Sequence, residues 1–445
     1  MHRRVALLAV LPLVLAGCVQ TDGALDQTAP PGNLTQGIEL PFDPLMLDHD
    51  HGDASLHEVS FGFQQLAHHP LGGGPGVSSG AHVLDVKAGY LFVGAYGEST
   101  VGTKGGFYVY DLKNPEEPAL VGKYLFPGSL GGDRSLEATA DGNYVILGTE
   151  ALTCAGHVNP FGPGIHLVDV SDKANPRLVF FYPTSGTHAV ATHRIGDKDI
   201  VYAVSGGTEN LFQIDRVGPL AKLTPIGELG FGHDLLFQDD PLLNTTVLYA
   251  ADGGGPLNIY DVADPANPVK LGTWNIPDRG DRYYVHTVAA EIIEGRRIVV
   301  VSSEDWLDYA SPFWILDATN FEVIETLSMW TNPGNVSADG LRFSLHNPRL
   351  EGGILHIAHY HGGVWSFDLR KPEYWSNLPV LGVHLPHEDT GYVPGPTETS
   401  VVSNTLCGAF NLADVPLAFD VETGDGVLYV ADIHTGLYTL KASFT

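Results

Sequence analysis

The sequence predicts an all-β protein, a seven-bladed β-propeller of four-stranded antiparallel blades. Three observations predict it. The chain repeats itself seven times at intervals of roughly 45–70 residues, the length of a four-stranded blade. Within each repeat apolar and polar residues alternate, the mark of half-buried strands. The 53 glycines and 30 prolines supply the many turns such a fold needs.

The units can be read in order. Each opens on a strand pair. The pairs begin AHVLDV and YLFVGAY (81–96), SLEATA and YVILGTE (135–150), and THAVATH and IVYAVSG (187–206). They continue GHDLLF and VLYAAD (232–252), VHTVAA and IVVVSSED (285–305), LHNPRL and ILHIAHYH (345–361), and PLAFDV and VLYVADIH (416–434). A second pair follows in most units. GGFYVYDLKNPEEPALVGKY (105–124) is echoed by PGIHLVDVSDKANPRLVFFY (163–182) and by GPLNIYDVADPANPVKLGTW (255–274). SPFWILDATNFEVIETLSMW (311–330) and GGVWSFDLRKPEYWSNLPVLGV (362–383) are weaker copies. In each, an aspartate ends one strand, and in the stronger copies an Asn-Pro or Asp-Pro turn leads into the next. The last unit ends in GLYTLKASFT and lacks an outer strand. Residues 56–67 (LHEVSFGFQQLA) have no partner of their own, so they are expected to supply that strand and close the ring.

This repeat resembles the LVIVD repeat family, whose members form β-propellers. The resemblance covers most of residues 80–445 and is most specific in units two and four. It implies a fold and leaves the activity open.

The N-terminus reads differently. Arg3 and Arg4 precede a short apolar run, Val5 to Ala16, too short to span a bilayer and typical of a signal peptide. Leu15-Ala16-Gly17-Cys18 resembles the lipobox of bacterial and some archaeal lipoproteins. That resemblance implies cleavage after residue 17, lipidation of Cys18, and a membrane-anchored protein on the cell surface or in the periplasm. Residues 18–47 are then a flexible Pro/Gly-rich tether, and 48–445 the propeller. Cys154 and Cys407 are the other cysteines; one disulfide and two buried thiols are both open. The formal charge is −29. Such a surface repels nucleic acid and anionic lipid headgroups.

Aligning the units brings histidines into a column. His82, His188, His233, His286 and His346 stand at the start of the first strand in five of seven units. Unit two has Leu136-Glu137 there, and unit seven Leu417. A second column, at the end of the next strand, holds Ala95, Thr149, Ser205, Asp252, Ser303, His359 and Asp432. Two residues further on, His361 aligns with Asp305 and His434. In a propeller both columns open on the same mouth of the central channel. Alternation turns His356 away from His359 and His361, as a packing residue.

Converging imidazoles are a borderline-metal donor set, suited to Zn, Cu, Fe or Ni. A subset of His82, His188, His233, His286, His346, His359, His361 and His434 is expected to ligate. Asp252, Asp305, Asp432 and Glu304 are expected as further ligands or as groups that orient a histidine through its second nitrogen. Metal-dependent redox or hydrolytic chemistry would follow from such a site. The alternative is a non-catalytic surface module that binds a protein or glycan. LDHDHGDASLH (47–57) is read either as a metal-capturing segment or as a solvated acidic linker. His68, His69, His384 and His387 are expected at the surface. No phosphate loop, dinucleotide fingerprint or HExxH helix occurs.

Overall fold

The computed structural model describes residues 60–71, 81–95, 104–127, 135–150, 162–205, 208–217, 220–230, 232–277, 283–304, 311–331, 343–386, 399–402, 410–413, 416–433 and 435–444. The signal peptide, the lipobox Cys18, the tether, the 47–57 cluster, Cys154, Cys407, Asp305, His387 and His434 lie outside these residues.

Seven antiparallel sheets form the blades. Blade one is Ala81–Lys87, Tyr90–Ala95, Lys104–Asp111 and Ala119–Pro127. Blade two is Leu136–Ala138, Tyr144–Thr149, Gly164–Asp169 and Arg177–Pro183. Blade three is Thr187–Ile195, Lys198–Ser205, Thr208–Val217 and Leu220–Gly230. Blade four is Asp234–Asp240, Thr245–Ala251, Leu257–Asp261 and Val269–Trp274. Blade five is Thr287–Ile293, Arg296–Ser302, Phe313–Asp317 and Glu325–Trp330. Blade six is Pro348–Glu351, Ile354–Ala358, Val364–Asp368 and Val380–His384. Blade seven takes Ala418–Gly424, Val427–Asp432 and Gly436–Ala442 from the end of the chain.

The N-terminal segment closes the ring as expected. Phe63–His69 pairs antiparallel with Gly436–Ala442 as the outer strand of blade seven. Just before it, Ser60–Phe61 adds a fifth strand to blade six, against Val380–His384. His384 fastens both pieces, one ring nitrogen 3.2 Å from Ser60 Oγ and the other 3.0 Å from Gln65 Oε1. The expectation that His384 is a surface residue is therefore corrected. It is fully buried because the closing segment covers it. His68 and His69 lie in the closing strand itself, where His68 stacks on Tyr438 at 4.3 Å. A short hairpin, Thr399–Val402 with Phe410–Ala413, stands between blades six and seven and has no counterpart in the repeat.

The hydrophobic core is divided into layers between neighbouring blades rather than gathered at one centre. One cluster joins blade one to blade two through Phe92, Phe107, Leu136 and Leu147. Others join two to three, three to four, four to five, five to six, six to seven and seven to one. Second strands are covered on both faces, which is why they read as near-continuous apolar runs such as RRIVVVS. The repeated aspartate has a local cause. Asp111, Asp169, Asp261, Asp317 and Asp368 each accept the backbone N–H two residues on, at 2.8–2.9 Å. This Asx-turn bends the chain from third strand to fourth.

The first strands of the blades touch one another in order around the ring and line the channel. Carboxylates staple several of these contacts. Asp420 accepts Leu84 N–H, Asp85 accepts Ala138 N–H, Glu137 accepts Thr192 N–H and Asp234 accepts Val288 N–H, at 2.7–3.3 Å. The channel encloses a cavity of about 560 Å³.

Candidate metal centre

The first-strand histidines do converge. In blades four, five and six the histidine precedes the inner strand. His233 N–H donates to the Ala251 carbonyl, His286 N–H to Ser302 and His346 N–H to Ala358, at 2.7–2.9 Å. Each is thereby pinned to the end of its own second strand. In blades one, three and seven the position is a β-bulge. The register slips between Ala81 and Leu84, between Thr187 and Ala189, and between Ala418 and Asp420. A bulge releases its extra residue from the alternation and re-aims the side chain. It aims His82, His188 and Phe419 at the mouth. The blade-seven position is thus Phe419 rather than Leu417.

The rings form an arc. Centroids of His188 and His233 are 4.6 Å apart, His233 and His286 4.7 Å, His286 and His346 4.8 Å. Phe419 continues it, 3.5 Å from His346 and 4.5 Å from His82.

At the centre of the arc His286, Glu304 and His346 bring one ligand atom each within 4.8 Å of one another, and all three are buried. His286 Nε2 is 3.0 Å from Glu304 Oε2. His346 Nδ1 donates to the Phe419 carbonyl at 2.9 Å, which makes Nε2 its lone-pair nitrogen. Ligands about 2.0–2.2 Å from a Zn²⁺-type ion stand roughly 3.5 Å apart in a tetrahedral site, so the three close on one ion with shifts of about an ångström. Two imidazoles and a carboxylate are a donor set for a borderline divalent metal. The trio fits such an ion.

Sequence reasoning missed the groups that hold Glu304. Tyr284 Oη donates to Oε2 at 2.7 Å, and Tyr360 Oη donates to Oε1. One donor on each oxygen fixes the plane of the carboxylate. Tyr360 is fully buried with φ of +43°. A bulky residue adopts that conformation only when its surroundings enforce it. Here the Tyr360–Ala418 bridge and stacking on His346 and Phe419 enforce it. The available signal was Tyr360's place between His359 and His361.

The other candidates are distributed around this centre. His359 packs edge-on against Trp330, Phe343 and Trp365, and burial there lowers its pKa to about 3. Gly362 makes room for it, since a Cβ there would come within 2.3 Å of His359 Nδ1. His361 is buried in the turn that follows. Asp432 accepts Thr435 N–H at 2.9 Å. Asp252 follows the second strand of the His233 blade, with its pKa raised to about 6 by burial. His356 lies within blade six with Nδ1 2.6 Å from Ser366 Oγ.

The family model of the LVIVD repeat matches residues 161–184 and 247–275. The chain carries LVIVD repeats. The matches fall in blades two and four and include the turn aspartates Asp169 and Asp261. No curated protein matches the chain in sequence. Among solved structures it is similar to the periplasmic gluconolactonase PpgL of Pseudomonas aeruginosa, at 12% identity and TM-score 0.49, over 69% of this chain and 86% of that one. Sqt1 of Saccharomyces cerevisiae is similar at 10% identity and TM-score 0.49, over 86% and 99%. BamB of Moraxella catarrhalis is similar at 10% identity and TM-score 0.45, over 86% and 98%. At these values the likenesses carry no argument about activity.

Proposed function

We propose that this protein is an exported, lipid-anchored propeller that binds a divalent transition metal at the histidine mouth of its channel. The observation that carries the metal reading is the buried His286–Glu304–His346 group, with Glu304 held by two tyrosine hydroxyls. The export reading is supported by the N-terminal apolar run and the lipobox-like Leu15–Cys18. His286 and His346 come from adjacent blades, so the ion also ties blade five to blade six. Three protein donors leave one or more coordination positions for water or a small ligand. A Zn-type ion in such a site supplies Lewis-acid and water-activating chemistry, a Cu- or Fe-type ion redox chemistry. The chain's own part is to hold the carboxylate plane with Tyr284 and Tyr360 and to set the His346 tautomer with the Phe419 carbonyl.

The test is elemental analysis of full chain purified without a chelator or a histidine tag, followed by zinc or cobalt titration. The wild type is expected to hold stoichiometric metal. The His286→Ala/His346→Ala variant should lose the ion bound by this trio while retaining its β-sheet circular dichroism. A wild type that stays metal-free after exposure to either ion would sink the reading.

A further inference from the structure

The channel cavity of about 560 Å³ lies away from the histidine arc. The middles and far ends of all seven first strands line it, and no arc histidine does. Its two sides differ. On blades six, seven, one and two the wall alternates in charge. Arg349 Nε lies 3.0 Å from Glu422 Oε1, and Lys87 Nζ lies 3.5 Å from Asp85 Oδ1 and 3.9 Å from Glu137 Oε1. Backbone donors hold the carboxylates from behind. Asp85 Oδ2 accepts the Ala138 N–H at 2.7 Å, Glu137 Oε2 the Thr192 N–H at 3.0 Å and Glu422 Oε1 the Thr423 N–H at 2.9 Å. The contacts of Lys87 are long for charged hydrogen bonds, and Arg349 Nη2 stands 3.8 Å from Glu351 Oε2, so both cations keep donor capacity. On blades three, four and five the wall is more apolar, with Ala191, Leu236 and Ala290. The charged groups on that side are already paired, His193 with Asp239 at 2.9 Å and Arg194 with Asp199 at 3.0 Å.

We propose that this cavity binds a neutral, hydroxyl-rich small molecule, a mono- or disaccharide, at the end of the channel away from the histidines. It shares no residue with the metal centre. The volume falls in the range of small-molecule sites, about 300–1,000 Å³. The charged wall offers donors and acceptors side by side. A hydroxyl both donates and accepts, so a row of hydroxyls can bond to ammonium, guanidinium and carboxylate in turn. A ligand of either net charge meets both signs there and is repelled by one of them. The C–H face of a sugar ring suits the apolar wall opposite, a few fixed polar groups against an otherwise apolar surface being the usual make-up of such a site. The backbone staples fix the carboxylates before a ligand arrives, which lowers the entropy cost of binding. The Lys87 and Arg349 side chains are 34% and 39% exposed, so a ligand from solvent reaches them.

Isothermal titration of the full chain with glucose, galactose, maltose and cellobiose tests this, beside gluconate as an organic anion and putrescine as a diamine. At least one of the four saccharides is expected to bind, one molecule per chain, with millimolar affinity or better and little dependence on salt. Lys87→Met keeps the aliphatic stem and removes the ammonium donors, and should weaken that binding about tenfold to a hundredfold. Arg349→Lys keeps the charge beside Glu422 and removes the spare guanidinium donors; it should weaken binding severalfold and decides the matter if Lys87→Met does not fold. His286→Ala/His346→Ala should leave saccharide binding unchanged. No binding of any of the four saccharides at millimolar concentration overturns the proposal. So does saccharide binding that neither substitution weakens, or that only the histidine variant abolishes, since either places the sugar elsewhere. Binding of gluconate or putrescine alone overturns the assignment of a neutral ligand.

Discussion

Tyr360 concentrates the residue-scale argument. Its hydroxyl touches Glu304, its ring stacks on His346, and its backbone sits at φ +43°. Removing only the hydroxyl isolates the first of these. Tyr360→Phe should cost about 1–3 kcal/mol of stability, since a buried carboxylate oxygen loses its donor, keep the β-sheet circular dichroism, and weaken metal binding about tenfold to a hundredfold, read by competition against a chromogenic chelator. If affinity is unchanged, the tyrosine does not position the carboxylate. The histidines of this site were legible in sequence because imidazole is scarce and the repeat sets a register for comparing positions. The two tyrosines were not, because a phenol in a strand-rich chain is ordinarily a packing group. What makes them more is the hydroxyl contact with Glu304, which depends on the fold.

At the scale of elements, the blades are held by layers of apolar packing with a few buried polar staples. Arg297 of blade five reaches Asp240 of blade four through two nitrogens, and both side chains are almost wholly buried. The Arg297 guanidinium also lies 4.5 Å over the Phe321 ring. Arg297→Ala leaves the Asp240 carboxylate buried without its partner and should cost about 3–5 kcal/mol in urea unfolding. The turn aspartates work more modestly. Asp261→Ala removes acceptors for Ala263 N–H and the Thr245 hydroxyl and should cost on the order of 1–2 kcal/mol. The closing strand Phe63–His69 covers the outer edge of blade seven. Deleting residues 60–69 bares the edge of Gly436–Ala442, and such an edge pairs with other chains. The truncated chain is expected to self-associate in size-exclusion chromatography at concentrations where the full chain does not. The aspartate turns and the closing strand were both readable from the repeat. The bulges were not, since a one-residue slip in a strand leaves little trace in an alternating pattern.

For the whole molecule, pH acts through buried imidazoles. Burial lowers the pKa of His166 to about 4, and burial with the nearby Arg349 charge does the same for His356. Their folded pKa lies below the unfolded value near 6.5, so above that pH both states are neutral and nothing is gained or lost. Below it the unfolded chain takes up protons that the fold refuses. Stability therefore falls as the pH drops from about 6.5 towards 4, by about 2 kcal/mol per histidine at pH 5. Urea midpoints at pH 7 and pH 5 check this; a midpoint at pH 5 equal to or above that at pH 7 would contradict it. The metal proposed for the mouth would respond in the same direction, because imidazoles must lose their protons to ligate, so acid would release it.

The sequence by itself determined the architecture. Period-two alternation, a turn aspartate in each strong copy and seven recurrences specify blades, and closing them as a ring removes their exposed edges. It also determined which residue type gathers at one mouth, since the repeat register carries His82, His188, His233, His286 and His346 to equivalent positions. The tertiary structure decided which of them meet. Bulges put His188, His82 and Phe419 into the arc, an aromatic pocket took His359, and tyrosines from the start of blade five and from the turn after the second strand of blade six clamped one glutamate. Those choices depend on rotations of individual side chains and contacts between blades far apart in sequence. A linear pattern records neither, because register along a strand says where a Cβ lies and not what closes over it from the next blade.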